Sequence, residues 1–328
     1  MNSSVALFNE ILARHQTFVL TTHVNPDGDA LGSELAMARF LRKSGKTVTI
    51  INHSETTSYL KWLDEKNDIR AYLPERDLPA IQSADAILVM DTNQPDRLRS
   101  MEEAVLNSKA AKIIIDHHLE PHPFAQQKIV DTEATSTGEI VFQLIEGVAP
   151  GLLDKEMARA LYTAIMTDTG SFRYPRTDAE THRIVARLLE LGADPTELFS
   201  NVYEQWTAGR MRLLGIALAS MKTAHNGKIA YVGLTQKDFD STQTSVEDTD
   251  NFTTFPMSIG GVQIGLLFNE LTDGVKVSFR SKGTIPINEL AKEYGGGGHM
   301  NAAGARLRNV SLDQIVKDVV AKAEKYLI

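Results

Sequence analysis

The chain has 328 residues, 42% of them hydrophobic and 23% charged, carries a formal net charge of −8 and contains no cysteine. Such a length accommodates roughly two domains, and such a composition excludes a disordered chain. Disulfides and thiolate metal sites are excluded outright, so a metal must use histidine and carboxylate ligands, and the acidic surface would repel a long polyanionic duplex.

The opening "MNSSVALFNEILARHQ" has helical spacing and lacks the basic region and cleavage site of a signal peptide. No apolar stretch approaches the roughly 20 residues of a membrane span, so a cytoplasmic location away from membranes is the expectation. Apolar runs then recur at 18–22, 47–51, 86–91, 112–116 and 128–130, with helical patterns between several of them. This alternation predicts an α/β fold: a mainly parallel sheet flanked by helices, with ligands gathered at the carboxyl ends of strands.

Residues that carry chemistry stand at those ends. "THVNPDGDALGS" places His23, Asp27 and Asp29 after the first run, Asp91 closes the third, and Asp116, His117 and His118 close the fourth. Asp168 follows the helical run "EMARALYTAIMT". A single aspartate in such a place is more often a helix cap, but capping explains neither His23 nor the histidine pair. Brought to one sheet edge, the four clusters look like the ligands of a metal centre, and their mixed His and Asp character suits Mn²⁺ or a similar divalent cation. A carboxylate such as Asp91 has two oxygens and can bridge two ions, the usual clamp for phosphoryl hydrolysis.

Two nearby segments are less committed. Arg97, in "DTNQPDRLRS", could reach a substrate phosphate or simply be solvated, and "EATSTGEIVFQL" reads as a helix start capped by Ser136 or Thr137, with the structural role preferred. Beyond a helical stretch from about 179 to 222, a second domain begins near "NGKIAYVGL". It reads as strands, a solvated acidic loop at 241–251, further strands "GVQIGLLFNE" and "GVKVSFRS", a helix and then "KEYGGGGHMNAAG". Four consecutive glycines are costly to order, so structure accounts for one of them and hardly four. Backbone N–H groups of Gly296, Gly297 and Gly298, with His299 beside them, can approach a phosphate or a base, and Arg280 in "FRS" with Ser281 offers a second grip.

Taken in order, "HVNPDGDALGS", "VMDTN", "IDHH" and "TDTGSFR" resemble the four motifs of the DHH phosphoesterase superfamily, and "GGGGHMNAAG" resembles its DHHA1 substrate domain. The closest resemblance is to the subfamily of oligoribonucleases, or nanoRNases, that are also phosphoadenosine phosphatases. It implies a DHH catalytic domain over 1–190, a helical linker over 191–222 and a smaller DHHA1 α/β domain with a mixed sheet over 223–328. It also implies two divalent ions, most naturally Mn²⁺: one held by His23, Asp27 and Asp91, the other by Asp29, Asp91, His117 and Asp168. His118 would then act on the scissile phosphate or protonate the leaving oxygen, with Asp116 orienting its neighbours. The implied substrates are short single-stranded RNA oligonucleotides and 3′-phosphoadenosine 5′-phosphate (pAp), with no long duplex and a homodimer compatible. A phosphodiesterase of cyclic or linear dinucleotides such as cyclic di-AMP and pApA stays open as an alternative, as does a non-catalytic nucleotide sensor.

Overall fold

The structure, a computed structural model, describes residues 2–328, with the side chains of Asn2 and His299 outside the described set. It divides into one unit ending at Gln205 and a second running from Trp206 to Ile328.

The first unit is built on a six-stranded sheet of β1 (Thr17–Thr21), β2 (Thr47–Asn52), β3 (Ile69–Ala71), β4 (Ala86–Met90), β5 (Ala111–Asp116) and β6 (Gln127–Val130). Its order is β3-β2-β1-β4-β5-β6 and every pairing is parallel. Both faces are buried, which is why the strands read as continuous apolar runs. Phe18, Leu20, Leu88, Met90, Ile113 and Ile115 turn to a core shared with Phe8, Met37, Phe40, Ile140 and Leu161. Their neighbours Val19, Ile87, Val89 and Ile114 turn to a second core with Ile81, Leu98 and Met101. Each such side chain, fully buried, contributes about 1.5–3 kcal/mol. The strand order reverses between β1 and β4, and a crevice opens at the carboxyl ends of strands where such a reversal occurs.

The second unit carries a mixed sheet of β7 (Lys222–Ala224), β8 (Ile229–Leu234), β9 (Ile264–Leu271), β10 (Gly274–Ser281), β11 (Gly297–His299) and β12 (Ala302–Arg308), ordered β11-β12-β10-β9-β8-β7. Only β8 and β9 pair in parallel. Val275, Val277 and Phe279 face the helices Ile287–Lys292 and Leu312–Ala323, while Val232 and Leu267 face Leu213, Leu214 and Phe239 on the other side. Residues 179–222 form separate helices: Ala179–Glu190 and Pro195–Tyr203 in the first unit, Ala208–Ala219 in the second.

The segment 241–251, expected as a solvated loop, is mostly exposed and also carries local structure. It contains the end of the helix Gln236–Thr242 and a 3-10 turn, Val246–Thr249, at whose start Ser245 and Asp248 cap each other. Buried Thr249 accepts a hydrogen bond from Asn269 Nδ2 at 2.9 Å. Among the described residues no helix is long and apolar enough to cross a membrane.

Candidate metal centre

The carboxyl ends of β1, β4 and β5 bring His23, Asp27, Asp29, Asp91, His117 and His118 to the crevice, and the helix Lys155–Asp168 delivers Asp168 as its last residue. Three sets of side chains there could each hold an ion: His23, Asp27 and Asp91; Asp29, His117 and Asp168; and Asp91, His117 and His118. The first set coincides with one expected ion site and the second with most of the other. The third adds His118 to the groups within ligating reach, beyond the role expected for it.

Each group is held by its own local chemistry. Asp27 caps the helix Gly28–Lys43, its Oδ1 accepting from the N–H groups of Asp29 and Ala30 at 3.1 Å, so the capping role and a ligand role coexist in one exposed carboxylate. Asp29 is buried, and its two oxygens accept from the N–H groups of Thr137 at 2.7 Å and Gly138 at 2.8 Å. Ser136 caps the helix Thr137–Val148, as expected, yet the first N–H groups of that helix also face an anion: the Asp29 carboxylate itself. Thr137 adds a hydrogen bond from Oγ1 to Asp91 Oδ1 at 2.9 Å, a role its sequence context does not reveal.

Asp91 stands between the sets. Its Oδ2 lies 3.4 Å from His23 Nε2 and its Oδ1 lies 3.6 Å from His117 Nε2. Its backbone is left-handed, with φ 55°, a conformation that costs an aspartate about 1 kcal/mol or more and that aims the carboxylate off the end of β4. His23 donates from Nδ1 to the Val24 carbonyl at 2.9 Å, and His117 Nδ1 faces the Ala134 carbonyl at 3.4 Å, which leaves both Nε2 atoms facing the carboxylates. His117 Nε2 is also 3.4 Å from Asp168 Oδ2.

Electrostatics decides what this set can accept. Burial, then repulsion from Asp91, Asp168 and Asp27, holds the Asp29 carboxyl well above the usual carboxylate range. Burial, then repulsion from Asp91 and Asp27, pushes Asp168 up to about 8. Asp91 moves the other way: three histidines outweigh its burial and keep it ionised. Among the described residues no lysine or arginine forms an ion pair with these four aspartates, so apart from the histidines and the more distant charge of Arg176 the crowding is uncompensated, and a divalent cation would supply the rest. The donor set therefore fits two such cations.

His118 differs from His117. Its Nδ1 donates to Asp116 Oδ1 at 2.7 Å, and although burial opposes the charged form, Asp116 and Asp91 raise it to about 9. Asp116 is fully buried, with Oδ2 lacking a hydrogen-bond partner. Arg97 lies near enough for its charge to act on both His23 and His118.

In the second unit the expected substrate residues separate by face. Strand alternation puts Lys276 and Arg280 on the side opposite Val275, Val277 and Phe279, whereas Ser281 is buried, donating to the Ile285 carbonyl at 2.7 Å and accepting from Asn301 at 2.9 Å. The glycine run also divides. Gly296 and Gly298 are required by close backbone approach to β12, where a Cβ would come within 2.2 Å of the Gly304 carbonyl and 2.4 Å of the Ala302 carbonyl, and Gly295 has φ 70°. Structure thus accounts for three glycines, and only Gly297 has no local reason, since a Cβ there meets nothing within 4 Å. Gly297 and its cross-strand partner Gly304 line a cavity of about 820 Å³ together with Lys276, Arg306, Gln236, Ser245 and Glu247. Lys276 was missed by sequence reading, although the alternation "KVSFR" places it beside Arg280. The side chain of His299 lies outside the described residues.

Comparison with known proteins adds to this geometry. Residues 17–165 match the DHH family, N-terminal domain, and residues 226–327 match the DHHA1 domain. The bifunctional oligoribonuclease and PAP phosphatase NrnA of Thermus thermophilus is 30% identical over 94% of this chain and 89% of its own. The cyclic-di-AMP phosphodiesterase PdeA of Listeria monocytogenes is 26% identical over 98% of this chain and 49% of its own. The crystal structure of an exopolyphosphatase-related protein from Bacteroides fragilis superposes with a TM-score of 0.95 at 35% identity, covering 99% of this chain and 97% of that one.

Proposed function

This chain belongs to the DHH family, with a DHHA1 domain behind the DHH domain, and from that premise we propose that it hydrolyses short RNA oligonucleotides to mononucleotides and converts pAp to AMP. The observation that carries the reading is Asp91, one oxygen toward His23 and the other toward His117. Two divalent cations, Mn²⁺ by the His and Asp chemistry, would be held by His23, Asp27 and Asp91 and by Asp29, Asp91, His117 and Asp168. Bound there, they supply Lewis acidity toward the phosphoryl group and toward water.

The remaining chemistry belongs to side chains. His118, kept protonated by Asp116, donates from Nε2 to the leaving oxygen, and its positive charge stabilises the phosphate as negative charge builds. Arg97 meets a non-bridging phosphate oxygen at the same rim. In the second unit Arg280, Lys276, His299 and the open backbone at Gly297 grip the rest of the nucleotide, and binding energy there is spent on orienting the scissile phosphate. A net charge of −8 supports a short single-stranded ligand over a long duplex.

Turnover of a 5-mer RNA, pAp and cyclic di-AMP, measured side by side with Mn²⁺, tests the assignment. RNA and pAp should lead. A clear preference for cyclic di-AMP would replace it with the activity named for the Listeria relative, and inertness toward all three would point to a nucleotide sensor.

A further inference from the structure

The turn that follows Asp168 is more elaborate than a chain reversal needs. Gly170, Ser171 and Phe172 adopt φ values of 55°, 60° and 63°, so three successive residues are left-handed and only one is glycine. Such backbone persists only where the surroundings over-determine it. Here Ser171 N–H donates to the Met166 carbonyl at 2.8 Å, and Arg173 and Tyr174 N–H groups both donate to the Thr169 carbonyl, at 2.9 and 3.1 Å. The Phe172 ring is anchored between Tyr162 at 5.7 Å and His182 at 5.9 Å.

The product of this arrangement is the placement of Tyr174. Its ring lies over Gly170 so closely that a Cβ there would come within 2.5 Å of it, yet the residue is 57% exposed, the most exposed of the described tyrosine, phenylalanine and tryptophan rings. One part of the ring is fixed against backbone and the rest is offered to solvent. Exposed Arg173 and Arg176 flank it in the chain, Arg173 with its Nε donating to the Gly170 carbonyl at 2.7 Å, and Arg176 is near enough for its charge to act on Asp168. A ring rigidly presented between cations, one turn from a candidate metal ligand, matches what single-stranded nucleic acid requires: a stacking platform with charge for the backbone beside it.

We infer that Tyr174 is a base-stacking residue of the nucleotide site, taking a nucleobase of the RNA substrate on its exposed ring. This rests on the reading of short RNA as substrate. Stacking needs the ring and not the hydroxyl, and it saves the entropy of ordering a mobile side chain because the turn has already ordered it.

The test is KM and kcat of the Mn²⁺-loaded full-length protein on a diribonucleotide and on the same molecule lacking one base. Tyr174→Ala should raise KM for the intact dinucleotide about 5- to 150-fold, the range one base–aromatic stack supports. Tyr174→Phe should stay within about twofold of the parent. Removing the ring and removing the base should not add, because both delete the same contact. Equal loss in the Phe and Ala variants, additive losses, or an unchanged KM in Tyr174→Ala would overturn the inference while leaving hydrolysis of short RNA standing. A parent enzyme inert toward the intact dinucleotide would overturn both.

Discussion

Asp91 serves two neighbours with one side chain, and its geometry makes its loss more severe than that of any single-sided ligand. Asp91→Ala should abolish hydrolysis and empty both metal positions in elemental analysis, and two fully occupied positions in that variant would refute the bridging assignment. His118 answers to a different control. Its proton is held by Asp116, so Asp116→Asn removes the larger of the two attractions that raise it to about 9. A raised group loses its proton later as pH rises, and a general acid fails once it has lost it. The alkaline limb of the kcat profile should therefore move to lower pH in Asp116→Asn, and a limb that stays put would remove His118 from the acid role. The sequence displays these residues because histidine and aspartate at strand ends are visible as types. It could not display Thr137, whose hydroxyl reaches Asp91 from 46 positions away, since nothing about a threonine at a helix start distinguishes a cap from a donor to a distant carboxylate.

At the level of elements, two helices carry opposite sides of the centre and are tied at the far end. Asp154 caps the helix Lys155–Asp168 through Met157 N–H at 3.2 Å and pairs with Arg39 at 2.8 Å and Lys43 at 2.9 Å, both on the helix that begins with Gly28. Burial opposes its charge, but these cations and the cap hold Asp154 down at about 2. Asp154→Ala should cost about 1–2 kcal/mol, a cap plus two half-exposed ion pairs, and lower Tm by about 2–8 °C. A depressed carboxylate contributes stability that is complete above its ordinary pKa near 4 and is lost as pH falls through about 2. The gap between parent and variant should accordingly close in acid melts and persist at neutral pH, and a gap unaffected by acid would mean the cost is packing. Strands were legible where an apolar run extended for five or six residues, as in β1, β4 and β5. The three-residue β3, "IRA", and the glycine-rich β11 carry no such run, and the pairing of each with its neighbour is what makes it a strand.

Across the whole molecule, the residues proposed to cut and those proposed to grip lie in different units, the metal candidates before Gln205 and the face of Gly297, Lys276 and Arg280 after Trp206. Arg280→Ala and Lys276→Ala should each raise KM for pAp and oligonucleotides by about 10-fold or more, the worth of a charge-assisted hydrogen bond, with bound metal unchanged by elemental analysis. Loss of metal in either variant would contradict the division. The two-unit organisation could be read from the order of the motifs along the chain. The local structure at 241–251 could not, because its acidic, polar composition is the same for a solvated loop as for the wall of a cavity, and only the capping pair and the buried Thr249 tell them apart.

The crowding of Asp29 and Asp168 ties the centre to the supply of protons as well as to the supply of metal. A carboxyl raised to about 8 is mostly protonated at neutrality, so an arriving cation must evict a proton in order to bind. The two compete for one seat, and acidification shifts the contest toward the proton. Each fall in pH below 8 should thus demand more manganese for the same rate, and metal binding followed in a weakly buffered solution should acidify it; binding without proton release would mean the carboxyls are already ionised. If the proposed function holds, acidification would slow hydrolysis of short RNA without altering the amount of enzyme, by shifting an exchange equilibrium at two aspartates.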